Sequence, residues 1–410
     1  MRNPSILLAA SAALALAATA PAYSAPRKAA ADPAAALQQR LLTLDTHLDT
    51  PASLALPGWS IMDAHTVQGD YTQVDLPRMK QGGLDGGFWA IYTPQGPLDP
   101  VSTRKARDFA FMRAAAIREM VAAHSESFAL ASKAADAAAI KASGKRVVYL
   151  SIENAWPLGD DPTLLESFYA MGVRISGFAH FRTNQFADSS TDKAKWDGLS
   201  PLGVQLLAQM NRLGVVPDLS HSSDRALDDA LRLSKAPIIL THSGCKAVFD
   251  HPRNIDDAHL KALAAAGGVI QINSVYVKGV RQSAEREAAM KALEEKYPED
   301  RKLTAAERQA VLAERRAIDA KYPEVRATFD DVMANLLHAL QVAGVDHVGI
   351  GLDWDGGGGV TGLEDVADLP KITRALLAAG YTEGDVAKIW SGNVLRVLAA
   401  AEAEAEREKS

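Results

Sequence analysis

The sequence predicts an α/β protein folded as a (β/α)8 TIM barrel, and three observations carry that expectation. Short apolar, β-branched runs alternate with amphipathic stretches along the chain, the signal of βα units and a parallel sheet. There are eight such runs. Six of the eight finish in a histidine or a carboxylate, and barrel enzymes gather their working side chains at the carboxyl ends of their strands. A doubly wound open sheet is the alternative that the alternation by itself leaves standing.

The amino terminus comes first and is unlike the rest. Arg2 precedes an apolar run from Ile6 to Ala18, and Ala20-Pro21-Ala22 offers a small-residue cleavage site, with Ala25 as a second. Residues 1–22 are therefore expected to be a signal peptide and 23–36 a flexible leader, which makes the protein exported, periplasmic or secreted. The run is too short to hold the mature chain in a bilayer, so no stable membrane span is expected.

The candidate strands follow within a catalytic barrel expected over 37–400. They are Leu41–Asp49, Gly87–Thr93, Arg146–Glu153, Val173–His180, Val215–His221, Ala236–His242, Gly268–Asn273 and His347–Asp353. A helix is expected over Leu199–Leu213, where Leu199, Leu202, Leu206, Met210 and Leu213 share a face and Gly214 suits the stop. Between strands seven and eight, residues 278–327 are dense in Glu, Lys, Arg and Ala and carry two Lys-Tyr-Pro-Glu copies. Proline after each charged run predicts two helices, a hairpin insertion read as a solvated decoration, with a lid or a homodimer contact as alternatives. Residues 401–410 read as a frayed, charged helix end.

Composition narrows the function. The 410 residues include 44 basic and 50 acidic side chains, a net charge of −6, and 48% are apolar. No basic block is present, so nucleic acid is not an expected partner. Cys245 is the single cysteine, which excludes an intramolecular disulfide and a Cys-rich zinc site. It reads as a small buried residue.

The strand ends carry the chemistry. In His47-Leu48-Asp49, alternate residues of a strand point to one side, so imidazole and carboxylate can grip one ion. His221 and His242 add imidazoles from adjacent strands, and Glu153 has two oxygens with which to bridge. Such N and O donors suit zinc. One ion is expected on His47, Asp49 and Glu153, and a second on Glu153, His221 and His242, with a hydroxide between them. Paired ions polarise a carbonyl and lower the pKa of water from 15.7 toward roughly 7. Asp353, finishing strand eight, faces the same mouth, whereas Asp355 lies beyond it; both could instead cap a helix or form an Asx turn. His65, His124, His259, His338 and His347 read as surface or packing residues.

These segments resemble the membrane (renal-type) dipeptidase family of metal-dependent amidohydrolase barrels. The likeness rests on DTHLDTP from Asp45, Ser151-Ile152-Glu153, GVRISGFAHFRTN from Gly172, and Asn211-Arg212-Leu213-Gly214. It continues through DLSHS from Asp218, Thr241-His242-Ser243, HPRN from His251, HVGIGLDWDGG from His347, Gly362–Val366 and GNVLRVL from Gly392. It runs from about residue 42 to 398. The resemblance implies a two-zinc dipeptidase of free dipeptides, with the ligand sets given above. It also implies that His180 contacts the substrate carbonyl oxygen, Arg253 holds the terminal carboxylate, and Asp353 passes a proton to the leaving amine. Two departures bear on pocket shape: Leu48 where the family often has Asn, and His180-Phe181-Arg182 where His-Asn is commoner. The rival readings are an amidohydrolase acting on a lactone, ester or cyclic amide, and a non-catalytic peptide-binding relative. Against the first stand His-x-Asp rather than His-x-His on strand one and Glu153 in the bridging place. Against the second stands the absence of any lost ligand.

Overall fold

The computed structural model describes residues 32–298 and 301–409; the expected signal peptide and most of the leader fall outside them. Ten parallel strands are present among the described residues: β1 Leu44–Leu48, β2 Gly86–Ile91, β3 Phe128–Leu130, β4 Arg146–Ile152 and β5 Val173–Gly177, followed by β6 Val216–Asp218, β7 Ile239–Cys245, β8 Asn254–Ile255, β9 Val269–Ile272 and β10 Val348–Ile350. The sheet runs β1-β2-β4-β5-β6-β7-β9-β10, with β3 added beside β4 and β8 beside β7. The eight on the main path are the eight expected from sequence. β3 and β8 were not expected, being three and two residues long.

The circle closes at a seam between β10 and β1 made largely of side chains. Asp49 N–H donates to Trp354 O (2.9 Å). Thr46 Oγ1 donates to Ile350 O (3.2 Å), and Leu352 N–H donates to the Asp45 carboxylate (3.1 Å). The barrel is thus nearly closed, and the open-sheet alternative falls. Almost every strand residue is buried, as expected of a parallel sheet covered on both faces.

One end of the barrel is plugged. Leu44, Phe88, Val147, Ile175, Val216, Ile239 and Val269 come from the starts of seven strands and pack with Val394, Val397, Leu398 and Ala401. The last four lie on the helix Asn393–Lys409. The expected frayed tail is therefore corrected: Ala401, Glu404 and Ala405 are buried. Ala401 and Ala405 sit one turn apart on the apolar face and come up against Gly214, whose φ of +75° ends the helix Pro201–Leu213. With the amino end filled, only the carboxyl end is left for chemistry. At the other terminus the helix Pro33–Arg40 starts four residues before the expected domain boundary, with Ala34 and Leu37 buried.

The insertion forms the two expected helices, Ala284–Lys296 and Ala305–Lys321, each ending at a Tyr-Pro pair. It is more than decoration. Arg308 donates to Pro57 O (2.9 Å) and pairs with Asp70 (3.3 Å), and Arg316 donates to Gly69 O. The Tyr71 hydroxyl donates to Asp319 (2.6 Å), and the Arg315 guanidinium lies 3.9 Å over the Tyr71 ring. Arg286, from the first helix, ties Asp319 and Tyr322 O at 2.8 Å each. The hairpin thereby clamps residues 57–71 of the loop after β1. Among the described residues no helix is long and apolar enough to cross a membrane.

Candidate metal centre

Strands shorter than expected change how the site residues are held. His47 lies within β1 and His242 within β7, but Asp49 and Glu153 sit just past their strands. His180, His221 and Asp353 each stand three residues beyond β5, β6 and β10. Leaving the strand lets the chain turn inward. His221 (φ +66°), Asp353 (φ +65°) and Asp355 (φ +65°) all adopt the left-handed conformation. Such backbone costs of order 1 kcal/mol or more per residue and persists only where surrounding contacts impose it.

Those contacts are visible. Asp355 accepts from Thr50 Oγ1 and from Gln73 N–H, both at 2.6 Å, and its own N–H donates to Gln73 Oε1 (2.8 Å). The turn then passes through Gly356, where a Cβ would lie 2.0 Å from Asp49 Oδ2 and 2.3 Å from Asp353 Oδ1. Only glycine fits there. Asp218 accepts from Ser220 N–H (2.9 Å) and Thr241 N–H (3.0 Å), fixing the approach to His221.

At the centre lies the Glu153 carboxylate, 95% removed from solvent, with four imidazoles around Oε1. His180 Nε2 stands at 3.2 Å, His221 at 3.4 Å, His47 at 3.7 Å and His242 at 3.8 Å. His47 Nε2 is also 3.1 Å from Asp49 Oδ2 and 3.9 Å from Asp353 Oδ1. Atoms within 4.8 Å of one another form three groups: His47 with Glu153 and His242, Glu153 with His180 and His221, and His47 with Asp49 and Asp353. Together they hold all five expected ligands, plus His180 and Asp353. His180 is as near Glu153 as any expected ligand is.

The donor set fits metal cations. Thr241 has one hydroxyl proton and gives it to Asp218 Oδ2 (2.5 Å), so toward His242 Nδ1 (2.9 Å) it can only accept. His242 therefore carries its proton on Nδ1 and turns a bare Nε2 inward, the tautomer a ligand needs. That Nε2 is 2.8 Å from His221 Nε2, and His221 Nδ1 is buried without a protein partner. Burial and the nearby Arg253 and imidazoles hold His221 and His242 well below the ordinary histidine range, hence neutral. His47 goes the other way: burial opposes its charge, but Asp49, Glu153 and Asp353 push it up to about 10. Burial, partly offset by His47, raises Asp353 to about 7, with Asp49 and Glu153 adding to the rise. Three carboxylates crowd one buried pocket, a deficit of positive charge that an ion relieves.

Arg253 approaches from the loop after β7. Its Nη2 donates to His242 O (3.0 Å), its guanidinium carbon lies 5.3 Å over the Tyr276 ring, and Nε is buried without a partner. Asp256 instead caps the helix Asp257–Ala265, and Asp257 pairs with His338, so neither holds Arg253. Cys245 is buried and its thiol pushed up to about 12, consistent with a packing residue. A groove of about 630 Å3 lined by Arg104, Arg107, Lys195 and Trp196 contains none of these site residues. Tyr276, Tyr92 and Gly356 are site residues the sequence reading missed. The run Gly356–Gly359 was a usable signal for the last, whereas nothing local distinguishes the two tyrosines.

A family model described as membrane dipeptidase, peptidase family M19, matches residues 31–410. Dipeptidase tcpJ of Claviceps purpurea is 33% identical over 332 residues, which cover 79% of this chain and 68% of that protein. Among solved structures, the probable dipeptidase PvdM of Pseudomonas aeruginosa is similar with a TM-score of 0.76 at 28% identity, over 90% of this chain and 98% of that one. Dipeptidase AC, described as a metallopeptidase of family M19, aligns with a TM-score of 0.69 at 26% identity, over 88% and 99%.

Proposed function

The chain belongs to the membrane dipeptidase family, peptidase family M19, and from that premise we propose that it is an exported zinc dipeptidase that cleaves the peptide bond of free dipeptides. The observation that carries this reading is the Glu153 carboxylate with four histidine Nε2 atoms within 4 Å. His47, Asp49 and Glu153 would hold one zinc ion, and Glu153, His221 and His242 a second. Bound there, the two ions supply Lewis acidity to the scissile carbonyl and lower the pKa of water toward about 7.

The chain's own residues do the rest. Arg253 offers a planar fork of donors that matches the substrate's terminal carboxylate. His180 Nε2 donates to the carbonyl oxygen as charge develops on it. Asp353 takes a proton from the attacking water and returns it to the leaving amine, a role suited to a buried carboxyl 3.9 Å from His47 Nε2 at the same mouth. A complete ligand set and an intact Asp353 favour catalysis over passive binding.

The deciding experiment assays a dipeptide panel with and without added zinc and counts metal in the active protein. Two equivalents per chain, with turnover lost on chelation, are expected; full activity at one equivalent overturns the bridging scheme. His180→Ala should keep both ions while losing turnover, whereas loss of an ion would make His180 a ligand. Export is tested by amino-terminal sequencing of the native protein, which should begin near residue 23.

A further inference from the structure

Phe181 is the residue the activity above leaves unexplained. It directly follows His180, yet 48% of it is exposed, and it is the one aromatic among the large exposed apolar side chains of the described residues. A singly exposed apolar residue is ordinary. This one is different because its ring is already engaged with the site. Its centroid lies 4.0 Å from that of His180 and 5.2 Å from that of His221, edge-on to the latter. Tyr92, one residue past β2, meets His180 from another side at 5.2 Å.

The backbone beneath is fixed. Ser189 Oγ donates to His180 O (2.5 Å) and Thr191 Oγ1 to Phe181 O (3.1 Å), so the ring is presented on a tethered main chain. The position in the barrel completes the argument. Arg253 lies beside β7 and Tyr276 beyond β9, while Tyr92, Glu153 and Phe181 follow β2, β4 and β5 on the opposite arc of the strand order. A dipeptide whose carboxylate lies at Arg253 and whose scissile carbonyl lies at Glu153 spans the mouth from the β7–β9 arc, with its amino-terminal residue on the Phe181 side.

We propose that Phe181, packed on His180, forms an aromatic platform that receives an apolar or aromatic side chain on the amino-terminal residue of the substrate. The proposal rests on the dipeptidase reading of the same site and names its substrate class: dipeptides with leucine, methionine or phenylalanine first, ahead of those with serine or aspartate first. The exposed face of the ring gains contact area only from such side chains, and the phenyl quadrupole favours a second aromatic ring.

The test compares kcat/KM for Phe-Gly and Leu-Gly with that for Ser-Gly and Asp-Gly in wild type, Phe181→Asn, Phe181→Ala and Phe181→Leu, all zinc-loaded. Wild type should favour the apolar pair. Phe181→Asn and Phe181→Ala should cut that preference by about 10-fold or more, the scale on which an apolar contact in a pocket discriminates. Phe181→Leu should keep most of it. A wild-type ratio near one, or a ratio unmoved by Phe181→Asn while dipeptides are still cleaved, overturns the platform and leaves the dipeptidase reading intact. Absence of turnover on every dipeptide overturns the dipeptidase reading instead. Calorimetric binding of an uncleavable reduced-amide analogue of Phe-Gly then decides the platform by itself: weaker binding to Phe181→Asn supports it, and equal affinity refutes it.

Discussion

Asp45, in the first barrel strand, accepts the backbone N–H of Leu352 (3.1 Å), just beyond the last strand, and with its other oxygen the N–H of His47 (2.9 Å). One fully buried carboxylate thus joins the ends of the circle immediately below His47 and Asp49.

That placement has a pH consequence. Burial raises Asp45 from its ordinary 3.8 to about 7, against the lowering effect of its two backbone partners. The folded state therefore holds this proton where the unfolded chain has released it, and the contribution is lost as pH rises from about 4 through about 7. In metal-free protein, wild type should lose stability over that window relative to Asp45→Asn, measured as Tm at a series of pH values. Parallel curves for the two proteins would show that Asp45 does not titrate there.

Asp353 and Asp355 should separate cleanly. Asp353→Asn is expected to lower kcat by about 10²–10⁴, the range of a positioned acid or base, with metal content kept. Asp355 faces Thr50 and Gln73 instead. Asp355→Asn should lower Tm, at a cost of about 1 kcal/mol for a part-buried hydrogen-bonded group, and affect kcat less. The assignment fails if Asp355→Asn is the more damaging change to turnover.

Arg253 should make the enzyme one of free acids. With no carboxylate of the described chain paired to it, its guanidinium is available to a substrate. Wild type should prefer a dipeptide strongly over its carboxyl-terminal amide. Arg253→Lys and Arg253→Ala should both lose most of that preference, because lysine keeps charge without the fork. Equal wild-type turnover of acid and amide would defeat the idea.

The helical hairpin should come loose without its arginines. Arg308→Ala with Arg316→Ala removes the bonds to Pro57, Gly69 and Asp70. Faster amide exchange over residues 57–71 and over Ala305–Lys321 is expected, with β1 protection unchanged. Unaltered exchange would mean that the clamp contributes nothing to local stability.

The barrel was legible because alternating βα patterning is repeated eight times, so an error at any one strand end leaves the alternation intact. Its cluster of histidines and carboxylates was legible because such residues ending apolar runs are rare. The boundaries were not. His180, His221 and Asp353 read as strand-terminal, yet two of the three owe their orientation to left-handed backbone, which no local propensity encodes. The tail misled for a different reason: its Glu-Ala repetition looks solvated until Gly214 and the strand starts are known to lie against it. The insertion helices were visible in sequence, but their arginine contacts to Pro57 and Gly69 join segments about 250 residues apart.

The seam also bears on when the protein can acquire its metal. His47 and Asp49 come from the first strand, and the residues that fix them, Leu352, Trp354 and Gly356, come after the last. A nascent chain that has emerged only as far as His242 already possesses all five expected ligands, but lacks the segment that presses Asp49 into place. Metal capture at those five residues would thereby wait until synthesis is nearly finished. For a chain exported unfolded, loading would take place outside the cytosol, from whatever metal pool that compartment holds.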